Sequence, residues 1–273
     1  MSAGCTRGVT IDRTALSVTE VVKRFGGVVA VDDISIAVRP GEIMSIIGPN
    51  GAGKTSLLNI ISGFYPPDSG SIRLGEQDIT RARPSHVAAL GVARTFQNIA
   101  LFAGMTVLDN IMLGRHVRMH AGALASIVYW GKAQAEETAH RARVEELIEL
   151  LELQDVRKQP SAVLPYGVRK RVELARALAL EPKLLLLDDP MGGMTHAEKQ
   201  GMARYILQVN AEHGTTIILI EHDMAVVMDI SDRVVVLDGG RKIAEGSPDE
   251  VQRDPIVIRA YLGVRQEQRV AAA

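Results

Sequence analysis

The segment Gly48-Pro49-Asn50-Gly51-Ala52-Gly53-Lys54-Thr55 follows the pattern G-x-x-x-x-G-K-[ST], an arrangement suited to holding phosphate. Its glycines let backbone N–H groups turn inward around phosphate oxygens, and a helix beginning at Lys54 adds the partial positive charge of its N-terminus. Lys54 is placed to reach the β- and γ-phosphates of a nucleoside triphosphate, and Thr55 to set its hydroxyl on Mg²⁺. Ser56 belongs to the same nucleotide-contacting stretch. A second element is Leu184-Leu185-Leu186-Leu187-Asp188, an apolar strand ending in a carboxylate that can hold Mg²⁺ through water beside the phosphates. Taken alone, an aspartate at a strand end is more often a cap or turn residue. The phosphate loop upstream reverses that reading.

These residues need elements to position them. Residues 41–47 read as a short apolar strand running into the loop, and 54–61 as a helix stopped at Gly63. Upstream, 15–22 and 28–38 show the β-branched, partly alternating pattern of strands. From Thr106 to about Leu153 strands disappear, and Val144, Leu147, Ile148 and Leu151 fall on one helical face. The α/β alternation then resumes. A helix starts at Val168, the leucine strand follows, a helix places Met202, Tyr205, Ile206 and Val209 on one face before Gly214 stops it, and 215–220 is a strand. Asp238-Gly239-Gly240-Arg241 between apolar runs reads as a hairpin, and Ser247-Pro248-Asp249-Glu250 as a capping box opening a last helix. The α/β segments on both sides of the helical insert are expected to share one sheet.

Kinases and GTPases also use such phosphate loops, and further residues decide among them. Leu164-Pro165-Tyr166-Gly167-Val168-Arg169-Lys170-Arg171-Val172-Glu173-Leu174-Ala175-Arg176-Ala177-Leu178 precedes the leucine strand and resembles the signature segment and helix of ABC ATPases. Thr95-Phe96-Gln97-Asn98 looks like the family's Q-loop, Leu219-Ile220-Glu221-His222-Asp223-Met224 like its H-loop, and Arg24-Phe25-Gly26 like the start that supplies an adenine-stacking aromatic. The resemblance covers residues 16–263 in the family's order and spacing. It implies an α/β fold, a P-loop NTPase core with an N-terminal antiparallel β subdomain and a helical subdomain, binding ATP and Mg²⁺. A single domain over 14–263 is expected, with the helical subdomain inserted at about 99–165 and flexible tails at 1–13 and 264–273. Carried over by position, Phe25 stacks on adenine, Gln97 senses Mg²⁺ and relays to membrane subunits, and His222 bonds the γ-phosphate. Asp189 holds the place of the catalytic base. Tyr166 and Gly167 face the γ-phosphate bound by a second ATPase subunit, itself or a paralogue, since each ATP is sandwiched between two chains. Arg169, Lys170 and Arg171, in the first turn of the signature helix, oppose its dipole, and a nearby anion would relieve that.

The chain departs from the family at several of these places. Asp189 stands where glutamate is usual, retracting the carboxylate by one methylene. Since about 1 Å of displacement can cost on the order of 10²-fold in rate, slow hydrolysis is expected. Pro165 and Tyr166 replace the usual serine and glycine, and Val168 the usual glutamine. Thr195 stands where the D-loop usually has aspartate or asparagine, which puts cross-dimer communication in question.

The form of the signature, Thr106-Val107-Leu108-Asp109-Asn110-Ile111-Met112-Leu113-Gly114-Arg115-His116, and the ending 254–263 are similar to the ATPases of hydrophobic, branched-chain amino-acid importers. Relatives of that group serve urea, amides or aromatic acids. This implies two membrane permease subunits, an extracytoplasmic solute-binding protein at one remove, and a peripheral position on the cytoplasmic face of the inner membrane. The alternative is a regulatory nucleotide-binding module with little hydrolysis. A soluble ABC machine acting on ribosomes or DNA would carry paired cassettes or long coiled coils, and neither is seen.

Bulk properties agree. A net charge of -1 over 273 residues gives no general attraction to nucleic acid, and none is expected as a partner. No run approaches the roughly 18 apolar residues of a membrane span, and the start of the chain has no apolar stretch for a signal peptide or for the lipoprotein box that Ser2-Ala3-Gly4-Cys5 superficially resembles. Cys5 is the single cysteine, which excludes an internal disulfide. His116, His120 and His140 are expected to be solvated, Trp130 to anchor helical packing, and 141–152 to be the wet face of a helix.

Overall fold

In the computed structural model, which describes residues 14–116 and 132–261, the first apolar runs form a long hairpin. β1 (Leu16–Phe25) and β2 (Val28–Val38) pair antiparallel, closing at Phe25 and Val28. The chain then passes through β3 (Ile43–Ile47) and α1 (Lys54–Ile61) before β4 (Ser69–Leu74) and β5 (Gln77–Asp78) extend the sheet. Its order is β2-β1-β4-β5.

Next come α2 (Pro84–Ala89) and β6 (Val92–Arg94), followed by α3 (Val107–Arg115), α4 (Lys132–Leu150) and α5 (Tyr166–Leu178) with no described strand among them. The alternation resumes with β7 (Leu184–Asp188), α6 (His196–His213), β8 (Thr216–Ile220) and α7 (Met224–Ile230). The hairpin of β9 (Arg233–Asp238) and β10 (Arg241–Gly246) and the capped α8 (Pro248–Arg253) follow. The second sheet runs β10-β9-β3-β8-β7-β6, parallel except for β10, so the segments before and after the helical region do share one sheet.

β3, β7 and β8 are buried at every position, as continuous apolar runs in a parallel sheet must be. Their side chains alternate between two cores. Leu185, Leu187, Ile217 and Leu219 face a core shared with α3–α6, where Val144, Ile148 and Leu151 dock. Leu184, Leu186, Ile218 and Ile220 face one shared with α1 and the hairpin sheet. Register then decides what meets at the rim. Asp188 lies level with Ile220, and Ile220 with Ile46, so β3, β7 and β8 discharge into their loops at one height. Carboxyl ends of parallel strands are where α/β sheets place ligands.

Three expectations need correction. The signature helix begins at Tyr166 rather than Val168, because Pro165, with φ -53°, sits at its cap and lets the next residue turn helical. Lys170 and Arg171 do not depend on an anion for relief, since main-chain carbonyls of this chain already meet them: Lys170 donates to those of Gln97 and Asp189, and Arg171 to those of Leu151 and Glu152. His140 is buried, not solvated, and its Nδ1 accepts from Arg115 Nε at 3.1 Å. The expected tails, Cys5, His120 and Trp130 lie outside the described residues.

Candidate functional site

Two tight approaches shape the loop between β3 and α1. A Cβ on Gly48 would stand 2.0 Å from the Leu237 carbonyl oxygen, and one on Gly53 2.3 Å from that of Ala30, so both positions exclude other residues. The latter contact lays the β1–β2 hairpin against the loop. Lys54 is buried, and its Nζ donates to the carbonyls of Gly48 (2.7 Å) and Pro49 (2.9 Å), closing the loop on itself. Burial depresses the ammonium's pKa, while the charges of Asp188 and Asp189 pull it back up. No acidic residue stands in the first turn of α1 and no side chain caps it, so its leading N–H groups are free to meet an anion. Thr55 and Ser56 occupy that turn, and Pro49, Asn50, Gly51 and Ala52 form the arch above it. From behind, Tyr261 packs against the cluster that includes Ile47 and Val236, with burial raising its phenol pKa and the nearby Gly48 N–H opposing that shift.

Asp188, at the end of β7, is buried. Its Oδ1 accepts from the Thr55 hydroxyl at 3.3 Å, and its Oδ2 pairs with Arg94 at 3.0 Å. Arg94 also donates to Asn59 Oδ1 and Ser62 Oγ and lies near both Phe64 and Phe96, with its guanidinium 5.8 and 5.1 Å from their ring centres. The residues fit Mg²⁺: Thr55 and Asp188 are adjacent hard oxygen donors, and Arg94 offsets part of the carboxylate charge, which favours the water-mediated contact read from sequence. Removing Arg94 leaves a buried carboxylate unpaired. Arg94→Ala should therefore cost about 3 kcal/mol or more and lower Tm by on the order of 10 °C; calorimetry showing an unchanged Tm would refute this pairing.

Asp189 follows with φ 52°, a left-handed conformation that aspartate tolerates better than most residues. Its carboxylate folds over Gly192, where an added Cβ would stand 2.2 Å from Oδ2. Tyr166 lies against the next residue, its ring 3.1 Å from where a Cβ on Gly193 would be. Burial and the Asp189 charge raise the Tyr166 pKa, keeping the phenol protonated. Gly167 is buried under Glu198 Oε1, 2.2 Å from its would-be Cβ, and Glu198 in turn completes the capping box of Thr195. The threonine that departs from the D-loop pattern is thus the cap of α6.

Gln97 is exposed, but its loop is held by one face of α5. Lys170 donates to the Gln97 carbonyl, Glu173 accepts the Phe96 N–H, and Arg176 donates to the Ala100 carbonyl at 2.6 Å. That i, i+3, i+6 spacing was present in the sequence and went unread. Lys170 also donates to the Asp189 carbonyl, so the Gln97 and Asp189 loops share one ammonium. Phe25 is exposed at the tip of β1, edge-on to Tyr65 with ring centres 5.1 Å apart. Tyr65 is a further aromatic at that position that the sequence reading missed. His222 stands exposed just past β8, on the same rim as Asp188.

Glu221 was missed too. It is buried just past the end of β8, much as Asp188 closes β7, and the same signal, a carboxylate following an apolar run, could have found it. Burial pushes its carboxyl pKa up and the Asp189 charge adds to this, against N–H groups of Met191, His222 and Asp223 that pull it down. Among the described residues, no cluster of His, Cys, Asp or Glu is placed to hold a metal by itself. A cation here would share phosphate and water with Thr55 and Asp188.

Residues 31–192 match the sequence model of ABC transporters, and residues 241–267 that of the branched-chain amino acid ATP-binding cassette transporter. The chain is 41% identical to the high-affinity branched-chain amino acid transport ATP-binding protein LivG of Salmonella typhimurium, over 91% of this chain and 97% of that protein. It is 37% identical to the corresponding protein BraF of Pseudomonas aeruginosa, over 93% and 99%. Among solved structures it resembles a nucleotide-free ATP-binding cassette from an ABC transporter, with a TM-score of 0.79 and 32% identity over 91% of this chain and 98% of that one.

Proposed function

The chain belongs to the ABC transporter family of ATP-binding cassettes, and from that premise we propose that it binds and hydrolyses ATP to power an importer of branched-chain amino acids. The observation that carries this reading is the shared rim, where the Lys54 loop, Asp188, Asp189 and His222 leave neighbouring strands at one level. Similarity to LivG and BraF over almost the whole chain supports the substrate class. Nothing favours the regulatory alternative.

In this reading the loop 48–53 and the N-terminus of α1 cradle the phosphates, with Lys54 on their β- and γ-oxygens. Phe25 and Tyr65 offer faces for adenine. Mg²⁺, when bound by Thr55 and Asp188, supplies charge neutralisation on the phosphate oxygens. Asp189 orients water and takes its proton as the water oxygen bonds the γ-phosphorus and the bond to the bridging oxygen breaks, releasing ADP. His222 donates to a γ-oxygen, and Tyr166 and Gly167 serve the ATP of a second ATPase subunit.

No described helix is long and apolar enough to cross a membrane, and in this reading transport runs through separate permeases. The Gln97 loop leads to a surface suited to them. Main-chain bonds join 103–105 to 161–162, and Ser161 donates to the Phe102 carbonyl. Phe102, Met105 and Val163 are left exposed at 56, 38 and 69%. Isolation of the tagged chain from its own membranes should bring down two permeases, and Phe102→Asp should weaken that association without loss of nucleotide binding. A chain recovered alone, binding ATP with no membrane partner, would contradict the importer reading.

A further inference from the structure

The exposed His222 sits in a short connection between β8 and α7, residues 221–223, with little packing of its own to fix it. Its place is inherited from the backbone. The carboxylate of Glu221, buried to 3% exposure, governs that backbone. Oε2 accepts the N–H of His222 at 2.9 Å and of Asp223 at 3.4 Å, while Oε1 reaches across to the N–H of Met191 at 2.8 Å. Met191 lies just beyond Asp189, whose own N–H donates to the Ile220 carbonyl at 2.9 Å. A second tie runs parallel: Asp223 caps α7 through Ala225 N–H and pairs with Lys199 of α6 at 2.7 Å.

A carboxylate is costly to bury, and its retention needs a compensating role for its acceptor oxygens. Here both are used, each on a different loop of the site. Glutamine has the same shape but offers one acceptor oxygen and one NH₂ donor, so in either orientation an N–H group meets another N–H group. The wider inventory of the molecule offers less. The 1270 Å³ cavity beside Arg143, Glu146 and Lys183 mixes both charges and indicates no particular ligand.

We propose that Glu221 is a positioning residue: it locks the His222 loop to the Asp189–Met191 loop, so that the group bonding the γ-phosphate and the group taking the water proton keep one spacing. The inference rests on the ATPase reading of this site. It acts through His222, and that separates it from a merely structural role. Glu221→Gln should lower kcat for ATP about 10-fold or more, as sub-ångström misplacement of catalytic groups does, with KM changed less than about twofold. In a His222→Ala background the same substitution should change kcat by less than about twofold, because coupled residues are non-additive. An equal loss in both backgrounds, or a parallel loss of ATP binding, overturns the proposal. A measurement independent of turnover and of the variant's folding is amide hydrogen exchange in the wild-type chain. The amides of Met191, His222 and Asp223 should be strongly protected despite their loop positions, and fast exchange there overturns the lock even if ATPase activity is present. Protected amides in a chain without turnover would instead fault the ATPase reading alone.

Discussion

Lys54→Ala should reduce ATP turnover by about 10²- to 10³-fold, the range seen when one preorganised charge-stabilising donor is removed. The substitution deletes two things. One is the ammonium expected on the β- and γ-oxygens. The other is the brace it provides to the loop through the Gly48 and Pro49 carbonyls at 2.7 and 2.9 Å. Loss of charge-assisted hydrogen bonds, at about 1.5–3 kcal/mol each, should also weaken nucleotide binding by roughly tenfold or more. Lys54→Arg separates charge from shape. The side chain is 7% exposed, and a planar guanidinium cannot place its donors on the same two carbonyls in the way a compact ammonium does. Arginine should therefore restore little activity. Titration with a fluorescent ATP analogue alongside steady-state turnover checks both effects, and a wild-type rate in Lys54→Ala would remove the loop from the mechanism.

Asp189→Glu should act in the opposite direction. The added methylene extends the carboxylate beyond its present place over Gly192, restoring the reach of the glutamate usual in the family. An increase of about tenfold or more in kcat is expected, within the 10²-fold range that about 1 Å commands. It should come with a loss of about 1 kcal/mol in stability, because glutamate accommodates the left-handed backbone of position 189 less readily than aspartate. Glu20, Glu152 and Glu181 already occupy positive φ in this chain, so the variant should fold. Asp189→Asn keeps the backbone preference and removes the base, and should bind ATP with turnover close to background. Steady-state ATPase and thermal unfolding on the three proteins test this together. No increase with glutamate would mean that hydrolysis is not limited by the reach of Asp189.

Much of the framework was legible because it rests on strong local signals. The glycine loop, the leucine strand ending at Asp188, Gly214 as a helix stop and the capping box at Ser247 each follow from backbone chemistry that a single residue type enforces. β4, β5, α2 and β6 were not foreseen. They span only two to six residues, too few for a period to show, and they form because longer neighbours offer edges and cores to them. The start of α5 was placed at Val168 because Pro165 was read only as a replacement for the usual serine and not as a helix cap.

The site divides in the same way. Lys54, Thr55, Asp188, Asp189 and His222 could be named from spacing and resemblance. Arg94, Tyr65, Glu173, Glu221 and Tyr261 could not, since each acts across long sequence separation: Arg94 reaches Asp188 between two parallel strands, and Glu221 meets Met191 from the far side of α6. The cations at 170 and 171 looked like an anion site because they oppose the dipole of their helix. Main-chain carbonyls brought up by other loops answer them instead. Side chains that hold loops together leave little mark in a linear pattern, whereas those that touch ligand sit in motifs.

If this chain turns over ATP in order to drive transport, its turnover answers to the transported molecule. The most direct test is the ATPase rate of the complex isolated through this chain and reconstituted in liposomes with its solute-binding protein, measured with and without a branched-chain amino acid. The rate should rise with the amino acid in the presence of Mg²⁺, and that rise should vanish in Lys54→Ala. A complex that binds ATP but shows no stimulated turnover, or one whose rate is untouched by Lys54→Ala, would contradict this coupling.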